Sequence, residues 1–167
     1  MDMLVQFRSP GNGPQTVPVA DLAQRIGEEV AVSDWLEVSQ ARIDQFADAT
    51  SDRQWIHVDT ARAAAESPFK TTIAHGFLTL ALTSALMRSA MTFSGVRVAL
   101  NYGLDRVRFM APVLAGARVR GRFAPRAVEH ADGGIQVIWT VTIEREQGDK
   151  PCCIVEWIVR YYPVRQL

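Results

Sequence analysis

Cysteine is scarce in this chain: there are two in 167 residues, and they are neighbours, Cys152 and Cys153. Adjacent positions in an extended segment point to opposite faces, so a bond between the two would be strained. The scarcity also excludes a secreted disulfide scaffold and a zinc site built from spaced cysteine pairs. Packing thiols in a reducing compartment are the reading that remains. Net charge is missing as well, because 18 Lys and Arg balance 18 Asp and Glu. Nothing in that balance recruits nucleic acid or an anionic membrane, and a small self-contained substrate fits better. No long apolar run is present either. The longest uncharged stretch, Thr71 to Met87, is diluted by threonines, His75, Gly76 and Ser84 and falls short of a membrane span. Met1 to Pro18 has no basic region leading into an apolar core, and its Pro10-Gly11-Asn12-Gly13-Pro14 run breaks any helix, so it reads as an arm and not as a signal peptide. A cytoplasmic protein is expected.

What is present is enough apolar material for one core. Hydrophobic residues make up 48% of a chain of single-domain length. No internal repeat or linker interrupts it after the arm, so the expected organisation is an arm over 1–18 and one domain over 19–167. Asp21 to Gly27 reads as a short helix, and Gly27 to Val38 as extended chain. Ser39 is placed to cap a helix carrying Ile43, Phe46, Ala47 and Thr50 at helical spacing. Asp59 is placed to cap a second helix through Glu66, stopped by Ser67-Pro68-Phe69. Phe77 to Met91 is apolar on nearly every side, which predicts a helix buried all round.

After Met91 the period changes to alternation. Strands are predicted at Val96 to Tyr102, Val107 to Phe109, Arg118 to Phe123, Ile135 to Glu144 and Cys153 to Tyr161, with Ile135, Val137, Trp139, Val141 and Ile143 on one face. Asp132-Gly133-Gly134 supplies the positive-φ residues of a hairpin. The class is therefore α+β, an antiparallel sheet curled around a long buried central helix. Arg106, Arg108, Arg118, Arg120 and Arg122 alternate with apolar or small residues. They form either a solvated basic face or a stripe that meets phosphates.

The densest chemistry lies in Asp52-Arg53-Gln54-Trp55-Ile56-His57-Val58-Asp59, followed by Ile73-Ala74-His75-Gly76-Phe77. Asp52 and His57 are about 140° apart on a helix and on opposite faces of a strand, so only a turn brings them together. Trp55 and Ile56 are apolar enough to pin that turn to a core. A carboxylate and an imidazole held over a common point are a positioned acid and base. Read as isolated spacing, the pair is equally a loop carboxylate and a satisfied histidine. Asn101, beside Gly103, is read as either a turn residue or a substrate contact.

This stretch resembles the signature of the MaoC-like dehydratases, the (R)-specific enoyl-CoA hydratases: Gly-Asp-x-Asn-Pro-hydrophobic-His-x-Asp followed by Ala-His-Gly. Asp52, Ile56, His57, Asp59 and Ala74-His75-Gly76 match, as do Asn101-Tyr102-Gly103, Val107-Arg108-Phe109 and Pro112-Val113 further on. Ser51 stands where the signature has glycine, and Gln54-Trp55 replaces Asn-Pro, as in the NodN-type branch. The resemblance implies a hot-dog fold, a homodimer, and syn addition of water to a trans-2-enoyl thioester of coenzyme A or acyl carrier protein, with no cofactor. It implies Asp52 and His57 as the catalytic pair and the Gly76 backbone N–H as donor to the developing enolate, at a helix terminus whose dipole favours negative charge. His75 and Gln54 are further substrate-contact candidates, His75 being equally a structural residue. Two other readings stay open: a thioesterase on the same fold, and an acyl-binding subunit without chemistry.

Overall fold

Alternation and helical spacing become eight strands and five α-helices in residues 14–164, the part of the chain that the computed structural model describes. Strand β1 (Gln15–Pro18) runs into a 3-10 helix over Val19–Arg25, followed by β2 (Ala31–Val32) and β3 (Leu36–Glu37). Helix α1 (Gln40–Thr50) starts at Ser39, whose hydroxyl accepts the Arg42 N–H at 3.4 Å. A single helical turn, α2 (Trp55–Val58), precedes α3 (Thr60–Glu66). Asp59 caps α3 by accepting the Arg62 N–H at 2.9 Å, and Ser67 leaves it in extended backbone ahead of Pro68. Helices α4 (Gly76–Ala81) and α5 (Thr83–Ala90) form the central helix, with bonds from Leu82 to Leu78 and from Leu86 to Leu82 carrying it through the break. Then come β4 (Met91–Ser94), β5 (Val96–Phe109), β6 (Arg118–Ala131), β7 (Gly134–Arg145) and β8 (Pro151–Pro163).

The main sheet is antiparallel, in the order β2-β6-β7-β8-β5, with β3 also paired to β6. One face receives the central helix, α4 against β8 and α5 against β6. Val137, Trp139, Val141 and Ile143 of β7 are fully buried beneath it, and Ile135 packs against their cluster. The indole N–H of Trp139 donates to the Tyr161 hydroxyl at 3.1 Å, which satisfies a polar group the core would otherwise strand. The Asp132-Gly133 hairpin forms with Ala131 opposite Gly134 and Gly133 at φ 81°. Together these make the hot-dog arrangement, a helix laid on an antiparallel sheet.

Several expectations are corrected. Residues 1–13 of the arm lie outside the described residues, while its end, Gln15–Pro18, is strand β1, parallel to β4. The extended chain before Ser39 supplies only the short strands β2 and β3. The two strands expected between Val96 and Phe109 are one, because irregular pairing with β8 between Asn101 and Gly103 absorbs the glycine without a turn. Asn101 is therefore a strand residue. Strand β6 runs past Phe123 to Ala131 despite Pro125, which a register shift between Pro125 and Ala127 accommodates. On its other side β2 pairs only as far as Phe123, so the missing proline N–H breaks no further ladder. The central helix is not buried all round: Leu78, Leu82, Leu86 and Met87 face the sheet, while Phe77 is 69% exposed. Among the described residues no helix is long and apolar enough to cross a membrane.

The basic stripe is also broken by topology. Arg106 and Arg108 lie on β5, separated from β6 by β7 and β8. The three arginines of the stripe that lie on β6 are paired with carboxylates: Arg118 with Glu146, Arg120 with Glu144, and Arg122 with Glu29 and Glu144. Most of the expected positive field is thereby neutralised where it arises.

Ser51 ends α1 with φ 61°, a left-handed conformation that costs a side-chain-bearing residue about 1 kcal/mol. Ser51→Gly is expected to raise stability by about 0.5 kcal/mol, after glycine's larger entropy loss on folding, measured by urea denaturation.

Candidate active site

Helix α1 stops at left-handed Ser51, and the chain turns at once into Asp52, whose side chain is 55% exposed. Three residues later α2 begins and carries His57, which is only 9% exposed. The turn expected between them is thus a loop plus one helical turn. Trp55 and Ile56 are half-buried, and the Arg62 guanidinium sits 4.5 Å from the centre of the Trp55 ring, so α3 holds α2 in part through a cation–π contact.

The Nδ1 of His57 lies 2.7 Å from the carbonyl oxygen of Ile73. A carbonyl only accepts, so Nδ1 carries the hydrogen and Nε2 is the nitrogen left free for chemistry. Burial lowers the His57 pKa below 6.5, and neighbouring His75 acts in the same direction; the Ile73 bond and nearby Asp52 oppose them. The imidazole is therefore held neutral at physiological pH, with a lone pair on Nε2.

His75 lies behind this pair, 2% exposed. Its Nε2–H donates to the backbone carbonyl of Asp52 at 2.8 Å, while the Asp52 carboxylate stands 4.0 Å away. Its ring stacks on His57 with centroids 3.8 Å apart and planes inclined by 27°, and Phe46 closes its other side at 5.1 Å. Of the roles open to His75, the structure displays the bond to a neighbouring loop. Its Nδ1 has no hydrogen-bond partner among the described residues.

Donor atoms of Asp52, His57 and His75 all lie within 4.8 Å of one another. His57 Nδ1 and His75 Nε2 already serve carbonyls, which leaves one further nitrogen on each ring. With the Asp52 carboxylate, that set offers three groups, one fewer than the four protein ligands of a closed zinc site.

His57 opens onto a cleft of about 240 Å³ bounded by Gly76, Thr79, Phe109, Met110 and Cys152, among others. A side-chain carbon on Gly76 would lie 3.1 Å from the Phe109 ring, so any larger residue here would press on that ring and crowd a ligand's approach to the backbone. Phe109 and Met110 are about half exposed at the rim, and Phe77 meets Phe109 edge to face at 6.1 Å. Gln54 is the N-cap residue of α2, its carbonyl accepting the His57 N–H at 2.9 Å; its side chain is exposed and does not line the cleft. Asn101 is elsewhere too, lining a second hollow of about 270 Å³ with Thr83, Ser84, Tyr102 and Trp157. Thr79 and Met110 carried no signal in the sequence, since their place at the cleft depends on how β5 and the central helix approach each other.

Residues 21–147 match the family model described as MaoC like domain. The 3-hydroxyacyl-thioester dehydratase Z of Mycobacterium tuberculosis is 52% identical over 144 residues, spanning 86% of this chain and 95% of that protein. Nodulation protein N of Rhizobium leguminosarum bv. viciae is 50% identical over 147 residues, 84% of this chain and 88% of its own. Among solved structures, the unliganded R-hydratase PhaJ1 from Pseudomonas aeruginosa superposes with a TM-score of 0.67 at 23% identity, covering 93% of this chain and 96% of that one. That likeness speaks to the fold. With its hot-dog sheet, its Asp52–His57–His75 cluster and these relatives, the chain belongs to the MaoC-like domain family.

Proposed function

We propose that this protein is an (R)-specific enoyl-thioester hydratase, and in reverse a (3R)-hydroxyacyl-thioester dehydratase, acting on coenzyme A or acyl carrier protein thioesters. The single observation that carries the reading is His57: it lines the cleft, its Nδ1–H is spent on Ile73 so that Nε2 keeps its lone pair, and donor atoms of His57 and Asp52 lie within 4.8 Å of each other. The name of the 52% identical mycobacterial relative, a 3-hydroxyacyl-thioester dehydratase, supports the same reaction class.

In this mechanism Asp52 accepts one hydrogen of a water and orients it. His57 Nε2 takes the other proton as the water oxygen bonds to C3. The electron pair of the double bond moves toward the thioester, and its oxygen, now enolate, accepts a hydrogen bond from the Gly76 N–H. The His57 imidazolium then returns the proton to C2 on the face from which water came, which gives syn addition and restores both residues. The thioester makes C2 acidic enough for this sequence without a cofactor.

A homodimer completes the proposal. Among the described residues strand β5 is one edge of the sheet, and Val98, Leu100, Tyr102 and Leu104 on it are 40–58% exposed, an apolar edge that isolated chains avoid. A second copy seated there by two-fold symmetry would cover these residues. A cytoplasmic setting agrees with two buried free thiols, Cys152 and Cys153.

Crotonyl-CoA hydration, followed by loss of enoyl absorbance, is expected to yield (R)-3-hydroxybutyryl-CoA. Asp52→Asn and His57→Ala, both folded, should each lower kcat by about 10²- to 10⁴-fold. Release of free thiol in place of the hydroxy product would establish a thioesterase, and binding without turnover an acyl-binding subunit.

The base must be unprotonated to act, and burial disfavours the imidazolium. The acidic limb of kcat/KM should therefore have its midpoint below 6.5, with a plateau through neutral pH. A midpoint above 6.5 would contradict the assignment of His57. Light scattering on the purified protein should return twice the chain mass, and Leu100→Arg should return a monomer.

A further inference from the structure

Catalysis by His57 requires more than the bond to Ile73, because His57 sits on a helix of only four residues, Trp55–Val58. One turn of helix is not stable by itself, and it leaves its last carbonyls without intrahelical donors. The His57 carbonyl is one of these, and its donor comes from outside: Gln40, the first residue of α1, gives it an Nε2–H at 2.9 Å. The second hydrogen of that amide goes to the Asp44 carboxylate at 2.7 Å. The amide oxygen accepts the hydroxyl of Thr72, a residue only 1% exposed.

Every polar atom of the Gln40 side chain is thus used, and the three partners fix which end is oxygen. Two acceptors stand at the nitrogen and one donor at the oxygen. The partners also belong to different parts of the chain. His57 lies in the first half of the motif, whereas Thr72 immediately precedes Ile73, whose carbonyl sets the His57 tautomer. A backbone bond from the Ile73 N–H to the Ile56 carbonyl, at 3.1 Å, joins the same two segments. Gln40 therefore touches both ends of the arrangement that aims the imidazole, yet it does not border the cleft.

We infer that Gln40 is a positioning residue for the hydration step: its amide clamps the His57 main chain to the Thr72–Ile73 segment and so holds the imidazole in its working tautomer and direction. The inference rests on the hydratase reading for its kinetic consequence and on geometry alone for its structural one. A clamp of this kind affects turnover more than binding, since the cleft walls stay in place while the base loses alignment.

The test uses Gln40→Glu, nearly the same shape but unable when ionised to donate to the His57 carbonyl, and Thr72→Val, which removes only the hydroxyl. For Gln40→Glu, kcat should fall by about 10- to 100-fold with KM little changed, and Thr72→Val should fall less, in the same sense. Nitrogen-15 NMR of the His57 ring should show the Nδ1–H tautomer in the wild type. In both variants the titration midpoint should move up toward 6.5 as the loosened ring gains water. Adding Asp44→Asn to Gln40→Glu removes the like charge without restoring the donor, so the defect should persist; recovery of kcat would overturn the clamp. Loss of melting temperature alone, with kcat per folded molecule and the His57 titration unchanged, would also overturn it. If the Gln40 variant does not fold, Thr72→Val decides by the same two readouts. A wild type without activity on enoyl thioesters would remove the hydratase reading, and the His57 titration would still judge the clamp.

Discussion

The bond from His57 Nδ1–H to the Ile73 carbonyl is the constraint around which the site is built. It joins residues 16 positions apart, selects the imidazole tautomer and decides which nitrogen keeps its lone pair. Ile73 is itself held, bridged to Leu114, while the neighbouring Ala74 N–H bonds the Val113 carbonyl at 2.8 Å. The direction of one imidazole is thereby tied to the segment that leads into β6. A shift in that segment would reach His57 through two hydrogen bonds and no flexible side chain.

Around this bond the protein buries an unusual amount of polarity for a small core. His57, Thr72, His75 and Thr79 are all at least nine-tenths buried, and the Phe46 ring lies 5.1 Å from that of His75. Polar groups survive there because most are paired with backbone carbonyls, so that desolvation is offset by a bond that water no longer weakens. An imidazole is thereby kept neutral by burial near a carboxylate whose side chain stays 55% exposed. Two groups five positions apart thus sit in different surroundings, the imidazole buried and the carboxylate largely in solvent.

Much of the scaffold was legible in order along the chain. The N-cap Asp59, the proline stop after Ser67, the hairpin at Asp132-Gly133 and the inward face of β7 each follow from a local rule of capping, backbone φ or period two, and each is observed. Where β5 was expected to break at Gly103, pairing with β8 along 14 residues carried the strand through, since a ladder of neighbours outweighs one flexible residue. The all-round burial expected of the central helix failed for a similar reason. Apolar composition tells that a helix seeks cover, but one sheet covers one side, and Phe77 is left outside.

For the site, the residue types and the resemblance to a known signature singled out Asp52, His57 and Gly76, because a carboxylate, an imidazole and a helix-start glycine carry recognisable chemistry in fixed spacing. The sequence by itself determined those chemical identities, the alternation that makes a sheet, and the N-caps Ser39 and Asp59 that start α1 and α3. Only the tertiary structure decided that His75 stacks on His57 and bonds the Asp52 carbonyl, that the arginines of β6 meet glutamates, and that Gln40 reaches the His57 carbonyl 17 positions away. These are contacts between groups distant in the chain, and their partners are set by how separate elements pack. No local period or propensity encodes that arrangement; it arises when burial of the shared core fixes the elements against one another.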